Sequence, residues 1–306
     1  MKKIIIAKRC GRLANRLVLF ANVIAFAEEY SFRVINFTFQ GFAHFFTGTF
    51  DTIKCAFPRE GKETCGTLVK LIRSTINGVR LQHQSIYFFS KILIKCELLR
   101  RFYPIISDQH FNSPKSLSEF STLVNCEYEK TTFLSGWRFR EPKLLSKHAD
   151  KIRSFFTPIP EYNEQVSRLV NQAKTSCDVL VGLHIRRGDY QLWKGGQYFY
   201  SLEDYRVIAQ RVKALYPKLE VGFLVCANQK VEYDELSDLN VLISDSIPVV
   251  DLYALARCDI LVGPPSTFTQ WASFYGNTPL NHIYGVNDEV SLEDFSVSDL
   301  HEIPGS

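Results

Sequence analysis

No stretch of this 306-residue sequence approaches the roughly 20 consecutive apolar residues of a membrane-spanning helix. The apolar run that follows Lys2 and Lys3 ends at Lys8 and Arg9, too soon for the hydrophobic core of a signal peptide. Leu17 to Ala27 is about half a span and carries Asn22. The eight cysteines include no Cys-x-x-Cys pair and no Cys/His cluster at zinc spacing, so no metal site is expected. They are also too sparse for a disulfide framework, and a reducing compartment fits them. The expected location is the cytoplasm, with at most peripheral contact at the inner face of a membrane. A long basic tail and a recognisable nucleic-acid motif are both missing, which excludes a dedicated nucleic-acid binder. There is no internal repeat and no low-complexity tract.

What is there is a globular composition, 46% hydrophobic and 22% charged. The length suits two domains of roughly 150 residues each. The net charge of +4 conceals an asymmetry. Residues 1–150 carry 23 Lys and Arg against 12 Asp and Glu, a net of +11; residues 151–306 carry 13 against 20, a net of −7. Halves of opposite sign suggest different partners.

Ile4 to Ile6 reads as a buried strand, 8–16 as a basic turn, Asn15 to Tyr30 as a helix and Val34 to Phe37 as a second strand. Residues 38–66 read as loop and 67–101 as mostly helical. The Lys- and Arg-rich end of that segment suits either an anionic lipid surface or a solvated face. Phe133 to Trp137 is a strand end, and Glu141 to Phe156 and Glu161 to Thr175 are helices separated by Pro158 and Pro160. Strands then alternate with helices: strands at 178–183, 221–225, 241–243 and 259–262, helices at 202–215, 251–257 and 269–275. That alternation indicates parallel sheets covered on both faces. The expected architecture is α/β, two Rossmann-like domains, 1–155 and 156–306.

Three segments carry candidate chemistry. His184-Ile185-Arg186-Arg187-Gly188-Asp189 follows a buried strand, where ligands bind in open parallel sheets. Two adjacent guanidiniums there suit an anion clamp, with Asp189 holding one of them; a surface Arg–Asp bridge would explain the same residues. Gly263 to Thr269 also joins a strand to a helix, where Ser266, Thr267 and free backbone N–H groups suit an anion or an ordinary helix cap. Arg9 to Arg16 is a third strand-to-helix turn, with Gly11 permitting close backbone approach.

In this order the three segments resemble the fucosyltransferase superfamily, and most closely the bacterial α-1,2-fucosyltransferase family. Its His-x-Arg-Arg-x-Asp motif is matched by His184 to Asp189. Its Gly-x-Leu-Gly-Asn-Gln turn is similar to Gly11 to Arg16, with Ala14 for Gly and Arg16 for Gln. Its Ser-Thr/Ser-Phe-Ser-Trp-Trp segment is similar to Ser266 to Trp271, with Gln270 at a Trp position. Ser135 to Glu141 resembles the mid-chain Gly-Tyr-x-Gln-Ser-Glu element. The similarity covers roughly 1–30 and 130–280.

The resemblance implies a GT-B architecture, two Rossmann-like domains facing each other across a cleft. It also implies inverting, metal-independent transfer of fucose from GDP-fucose to a glycan hydroxyl, α-1,2 to galactose. No cofactor is implied, and the sequence holds no Asp-x-Asp motif. Arg186, Asn15 and Asp189 are then the catalytic candidates. Gly11, Arg12, His184, Arg187, Ser266, Thr267 and Phe268 are the donor-binding ones. His184 and Asp189 are the general-base candidates by location. The basic half would face the acceptor, lipid-linked or anionic. An acidic patch expected after strand 221–225 is replaced by Ala227-Asn228-Gln229. That departure leaves two alternatives, another GDP-sugar as donor or nucleotide-sugar binding without transfer.

Overall fold

A computed structural model describes residues 2–50, 52, 54–59, 104–108, 113–124 and 131–304. The helical segment expected over 67–101, with its basic end, lies outside them. The chain divides into two compact units, Met1–Ile159 and Pro160–Ser306.

The first unit is built on a parallel sheet in the order β2-β1-β4-β3, with β1 Lys3–Ile6, β2 Arg33–Ile35, β3 Ile105–Ser107 and β4 Thr131–Ser135. Ile4 and Ile6 are fully buried, as the apolar run predicts. Helix α1 spans Leu13–Tyr30, two residues earlier than expected, because Gly11 takes a left-handed conformation (φ +54°) and Arg12 the extended N-cap position. From Leu13 to Ala27 only Asn15 among its residues escapes full burial. Asn22 is tolerated there because its amide donates to Val18 O (2.8 Å) and its Oδ1 accepts from Glu141 N (2.6 Å). Phe37–Phe45, expected as a strand end at Phe37 and loop beyond it, forms a 3₁₀ segment, and Phe39 within it and Phe46 just after it are buried in the core. The helix expected over 141–156 is two helices, α2 Pro142–Lys147 and α3 Ala149–Phe155. The break falls at His148 (φ −107°, ψ 17°), whose imidazole and the neighbouring Lys147 ammonium both reach the Glu29 carboxylate on α1.

The second unit carries helix α4 Pro160–Ala173 and a five-stranded parallel sheet in the order β7-β6-β5-β8-β9. Its strands are β5 Val179–Ile185, β6 Val221–Ala227, β7 Asn240–Ile243, β8 Ile260–Gly263 and β9 Leu280–His282. β5 and β6 are paired along their full length, Val179 opposite Val221 through Ile185 opposite Ala227. Both are buried over most of their residues, which explains their continuous apolar runs. Helix α5 Leu202–Ala214 starts at a reciprocal capping box between Ser201 and Asp204. Helix α6 Pro248–Leu255 starts three residues earlier than expected, its proline occupying the first turn where no N–H is needed. Helix α7 Thr267–Gly276 starts two residues early, capped by the Ser266 hydroxyl on Phe268 N (3.1 Å).

The strand orders locate the ligand-binding edges. In the second unit the chain runs outward from β5 through β6 to β7, then returns to the other side of β5 with β8 and β9. The order reverses between β5 and β8. In the first unit it reverses between β1 and β4. Open parallel sheets leave a crevice outside the carboxyl ends of strands at such a reversal.

Candidate functional site

In the second unit, the His184–Asp189 segment leaves β5 and the Gly263–Thr269 segment leaves β8, so both stand at the reversal. Three contacts join them. The Tyr190 hydroxyl donates to Pro265 O (2.6 Å). The His184 ring stacks on Phe268, centroids 4.9 Å apart and planes 19° apart. β5 and β8 pair directly, Leu183 opposite Val262.

Arg186 is held from several sides. Its Nη2 donates to Asp189 Oδ2 (2.6 Å) and its guanidinium lies over the Tyr190 ring at 5.4 Å. Its backbone N–H donates to the buried Tyr205 hydroxyl (3.0 Å). Arg187 lies over a different ring, Phe199, at 5.6 Å, and its backbone N–H donates to Asn228 Oδ1 (2.9 Å). The Asn228 amide also donates to Asp189 Oδ1 (3.2 Å). Gly188 packs closely on this amide, since a Cβ there would sit 2.9 Å from Asn228 Nδ2. The Nε atoms of both arginines are buried with no hydrogen-bond partner. Orphaned cationic donors are costly in a folded protein and cluster where a ligand completes them. Asp189 is thus engaged in positioning Arg186.

His184 is 3% exposed. Burial, with the nearby Arg186 charge, pushes its pKa down to about 3, so the imidazole is neutral. Nδ1 faces the Cys226 carbonyl at 3.1 Å, an acceptor only, so Nδ1 carries the proton. Nε2 is then a bare acceptor, buried and without a partner. So weak a base is poorly suited to general-base work, and its geometry suits accepting a hydrogen bond from a ligand.

This burial has a pH consequence. In the unfolded chain a histidine binds its proton near pH 6.5; in the fold it does so near 3. The unfolded state therefore binds more protons between those values. His184's contribution to stability is complete above pH 6.5 and is lost as pH falls toward 3. His184→Gln is expected to reduce the fall in the urea midpoint between pH 7 and pH 5. His282, lowered to about 4 by burial, leaves a residual fall in the variant. An unchanged pH dependence would contradict the assignment.

In the first unit, the 8–12 turn leaves β1 and residues 136–140 leave β4, again at the reversal. The Cys10 thiol donates to Gly136 O (3.4 Å). The Asp108 carboxylate accepts from Trp137 N (2.7 Å) and Arg138 N (3.1 Å). Gly11 packs on Asn15, since a Cβ there would lie 2.6 Å from Asn15 Cγ. Arg12 and Gly11 are exposed and Asn15 is half-buried.

Arg16 fixes this turn. It is 4% exposed. Its Nε and Nη2 donate to Gly11 O (both 3.2 Å), Nη1 donates to Thr38 O (2.9 Å), and the guanidinium lies over Phe42. Burial lowers its pKa to about 10, still protonated at neutral pH. Arg16, Tyr190, Tyr205 and Asn228 are the supporting residues that sequence reasoning missed as such. Among the described residues, no group of three or more His, Cys, Asp or Glu side chains is placed to hold a metal ion. No described helix is long and apolar enough to cross a membrane.

No family model matches the chain, and no curated protein sequence matches it. Solved structures do. A point mutant of Arabidopsis thaliana FUT1 in complex with GDP is similar with a TM-score of 0.55 at 11% identity, over 96% of this chain and 73% of that one. The α-1,6-fucosyltransferase NodZ co-crystallized with GDP gives 0.54 at 15% identity, over 92% and 95%. Fucosyltransferase NodZ from Bradyrhizobium gives 0.53 at 15% identity, over 92% and 96%. The chain therefore has the α/β fold, with parallel sheets, of these fucosyltransferase structures.

Proposed function

We propose that this chain is a fucosyltransferase that moves fucose from GDP-fucose to a glycan hydroxyl. The observation that carries the proposal is the Arg186 site: a guanidinium pinned by Asp189 and Tyr190 with a buried, unpartnered Nε, beside the N-terminus of α7. Similarity to structures solved with GDP and with GDP-fucose supports the choice of donor. In the reaction the acceptor oxygen bonds to the anomeric carbon of fucose as the bond to the β-phosphate oxygen breaks. The proton of the acceptor hydroxyl passes to water, and GDP leaves with the electron pair. Attack from the face opposite GDP inverts the anomeric centre.

Arg186 meets the charge that grows on the leaving diphosphate, through charge-assisted bonds. Arg187, Ser266, Thr267 and the first N–H groups of α7 add donors. His184 accepts from the nucleoside and Phe268 packs beside it. By the family resemblance alone, Gly11 and Arg12 are carried forward as donor-binding residues and Asn15 as a catalytic one. Cationic side chains take the part that a divalent metal plays elsewhere, so transfer is metal-independent. The acceptor is a galactoside, taken at O2, and the +11 half favours one that is anionic or lipid-linked. The expected result is GDP release from GDP-fucose with a galactoside acceptor, at a rate unchanged by EDTA. An absolute metal requirement would overturn the mechanism.

A second reading keeps the site and changes the donor. Asn228 and Gln229 stand where the family's acidic patch is expected, and Asn228 is spent on the 187–189 loop. A thermal-shift screen of GDP, GDP-fucose, GDP-mannose and UDP-sugars separates the readings. Stabilisation by GDP-fucose above the others favours the first.

A further inference from the structure

A polar cavity of about 300 Å³ opens beside Gln270 in the first turns of α7. Gln270 of α7, His282 of β9 and the later residues Ser296, Ser298, Asp299 and Glu302 line it, together with the apolar Leu280 and Val297. Gln270 is 2% exposed. Its backbone N–H is spent on Ser266 O (3.1 Å), yet its side-chain Oε1 is buried without a partner. A well-packed helix has no use for such a group, whose desolvation is uncompensated.

The neighbours share its polarity. The Thr269 hydroxyl donates its single proton to Ser266 O (2.9 Å). It therefore accepts from His282 Nε2 at 3.2 Å, which leaves the other ring nitrogen of His282 an acceptor. Asp299 and Glu302 add carboxylates, and no lysine or arginine lines the cavity. The walls offer acceptors and ask for a ligand rich in donors without negative charge. The volume matches the lower end of small-ligand pockets, roughly 300–1,000 Å³. It suits one sugar ring rather than a chain.

We infer that this cavity is a sugar subsite separate from the donor site, taking a neutral or amine-bearing hexose through its hydroxyl and ammonium groups and rejecting an anionic one. The class of ligand rests on the glycosyl-transfer reading; the place rests on Gln270 and its neighbours. Sharing the α7 turn puts such a ring next to the proposed donor site. It would then select among acceptors by a residue other than the one that reacts.

The test is titration calorimetry and saturation-transfer NMR on the full chain, with GDP present and absent. The probes are methyl β-galactoside, glucosamine and glucuronic acid. Expected is weak binding of the first two, with glucuronic acid about tenfold weaker, as one lost charged contact would give. Gln270→Met is expected to weaken sugar binding about tenfold while raising the melting temperature, because an unpaired buried amide is gone. The exposed pair Asp299→Asn with Glu302→Gln does not depend on core packing and is expected to abolish the tenfold discrimination against glucuronic acid. Absence of binding by all three probes, or unchanged binding in both variants, overturns the subsite. GDP binding, measured in the same samples, reads the transferase proposal separately. Sugar binding without GDP binding would sustain the subsite and overturn that proposal.

Discussion

Replacing Arg186 with alanine is expected to lower kcat/KM for transfer from GDP-fucose by about 10²–10³-fold, or roughly 3–4 kcal/mol of transition-state stabilisation. The magnitude follows from what the side chain faces. Arg186 is only 15% exposed, so its charge acts where water screens it weakly. Its fork is oriented before any ligand arrives, by Asp189 at 2.6 Å and by the Tyr190 ring. Because the leaving diphosphate gains charge only as the glycosidic bond breaks, most of the loss should fall on kcat rather than KM. Arg186→Lys keeps the charge and loses the planar fork, and an intermediate rate is expected. Asp189→Asn leaves Arg186 cationic but frees it to turn, so a smaller loss is expected, with GDP binding weakened as well. Full activity in Arg186→Ala would end the mechanism as stated. Steady-state kinetics with a GDP-release assay supply all these values.

The Arg186 site was legible because two signals coincide in the chain. A buried apolar strand ends, and residues that cannot stay in a core follow at once. Both β5 and β8 present that junction, and the strand order shows why it matters: these are the strands on either side of the reversal. Pairing was not legible. Nothing in residues 184–190 announces that Tyr190 reaches Pro265, 75 positions away, or that Asn228 braces both Arg187 and Asp189. Such partners are set by strand neighbours, which local periodicity does not encode.

Arg16 shows the same limit from another side. Its place in a basic turn gave no sign of its role, yet it is buried as a structural pin, with three hydrogen bonds to the carbonyls of Gly11 and Thr38. Helix starts were read late at α1, α6 and α7, where the capping residue is an arginine, an isoleucine, and a serine that follows a proline pair. β3 escaped because three residues are too few for alternation to register. The cavity beside Gln270 needed both β9 and residues 296–302 to exist. Its only mark in the sequence was a glutamine where the resembling family has tryptophan.

Phe20→Ala is expected to cost the first unit about 3–5 kcal/mol. Phe20 is fully buried in α1 and meets Phe39, Phe155 and Phe156 edge-on, with centroids 5.5, 5.7 and 5.5 Å away. Those rings also brace one another, Phe155 against Phe156 at 5.0 Å and Phe39 against Phe156 at 5.8 Å. A cavity opened at their centre has walls on separate elements, and walls held by other partners collapse poorly. Edge-to-face pairs add about 0.5–1.5 kcal/mol each beyond area, which places the loss in the upper part of the range. Phe20→Leu keeps most of the volume and is expected to cost clearly less. Urea denaturation of the full chain followed by intrinsic fluorescence gives both values. α1 begins at the Gly11 turn and carries Asn15 in its first turn. If that turn is braced through α1, Phe20→Ala should weaken acceptor use at temperatures where the chain is still folded. A variant as stable as the parent would show that the aromatic cluster closes around the gap, and that the turn draws its rigidity from Arg16 instead.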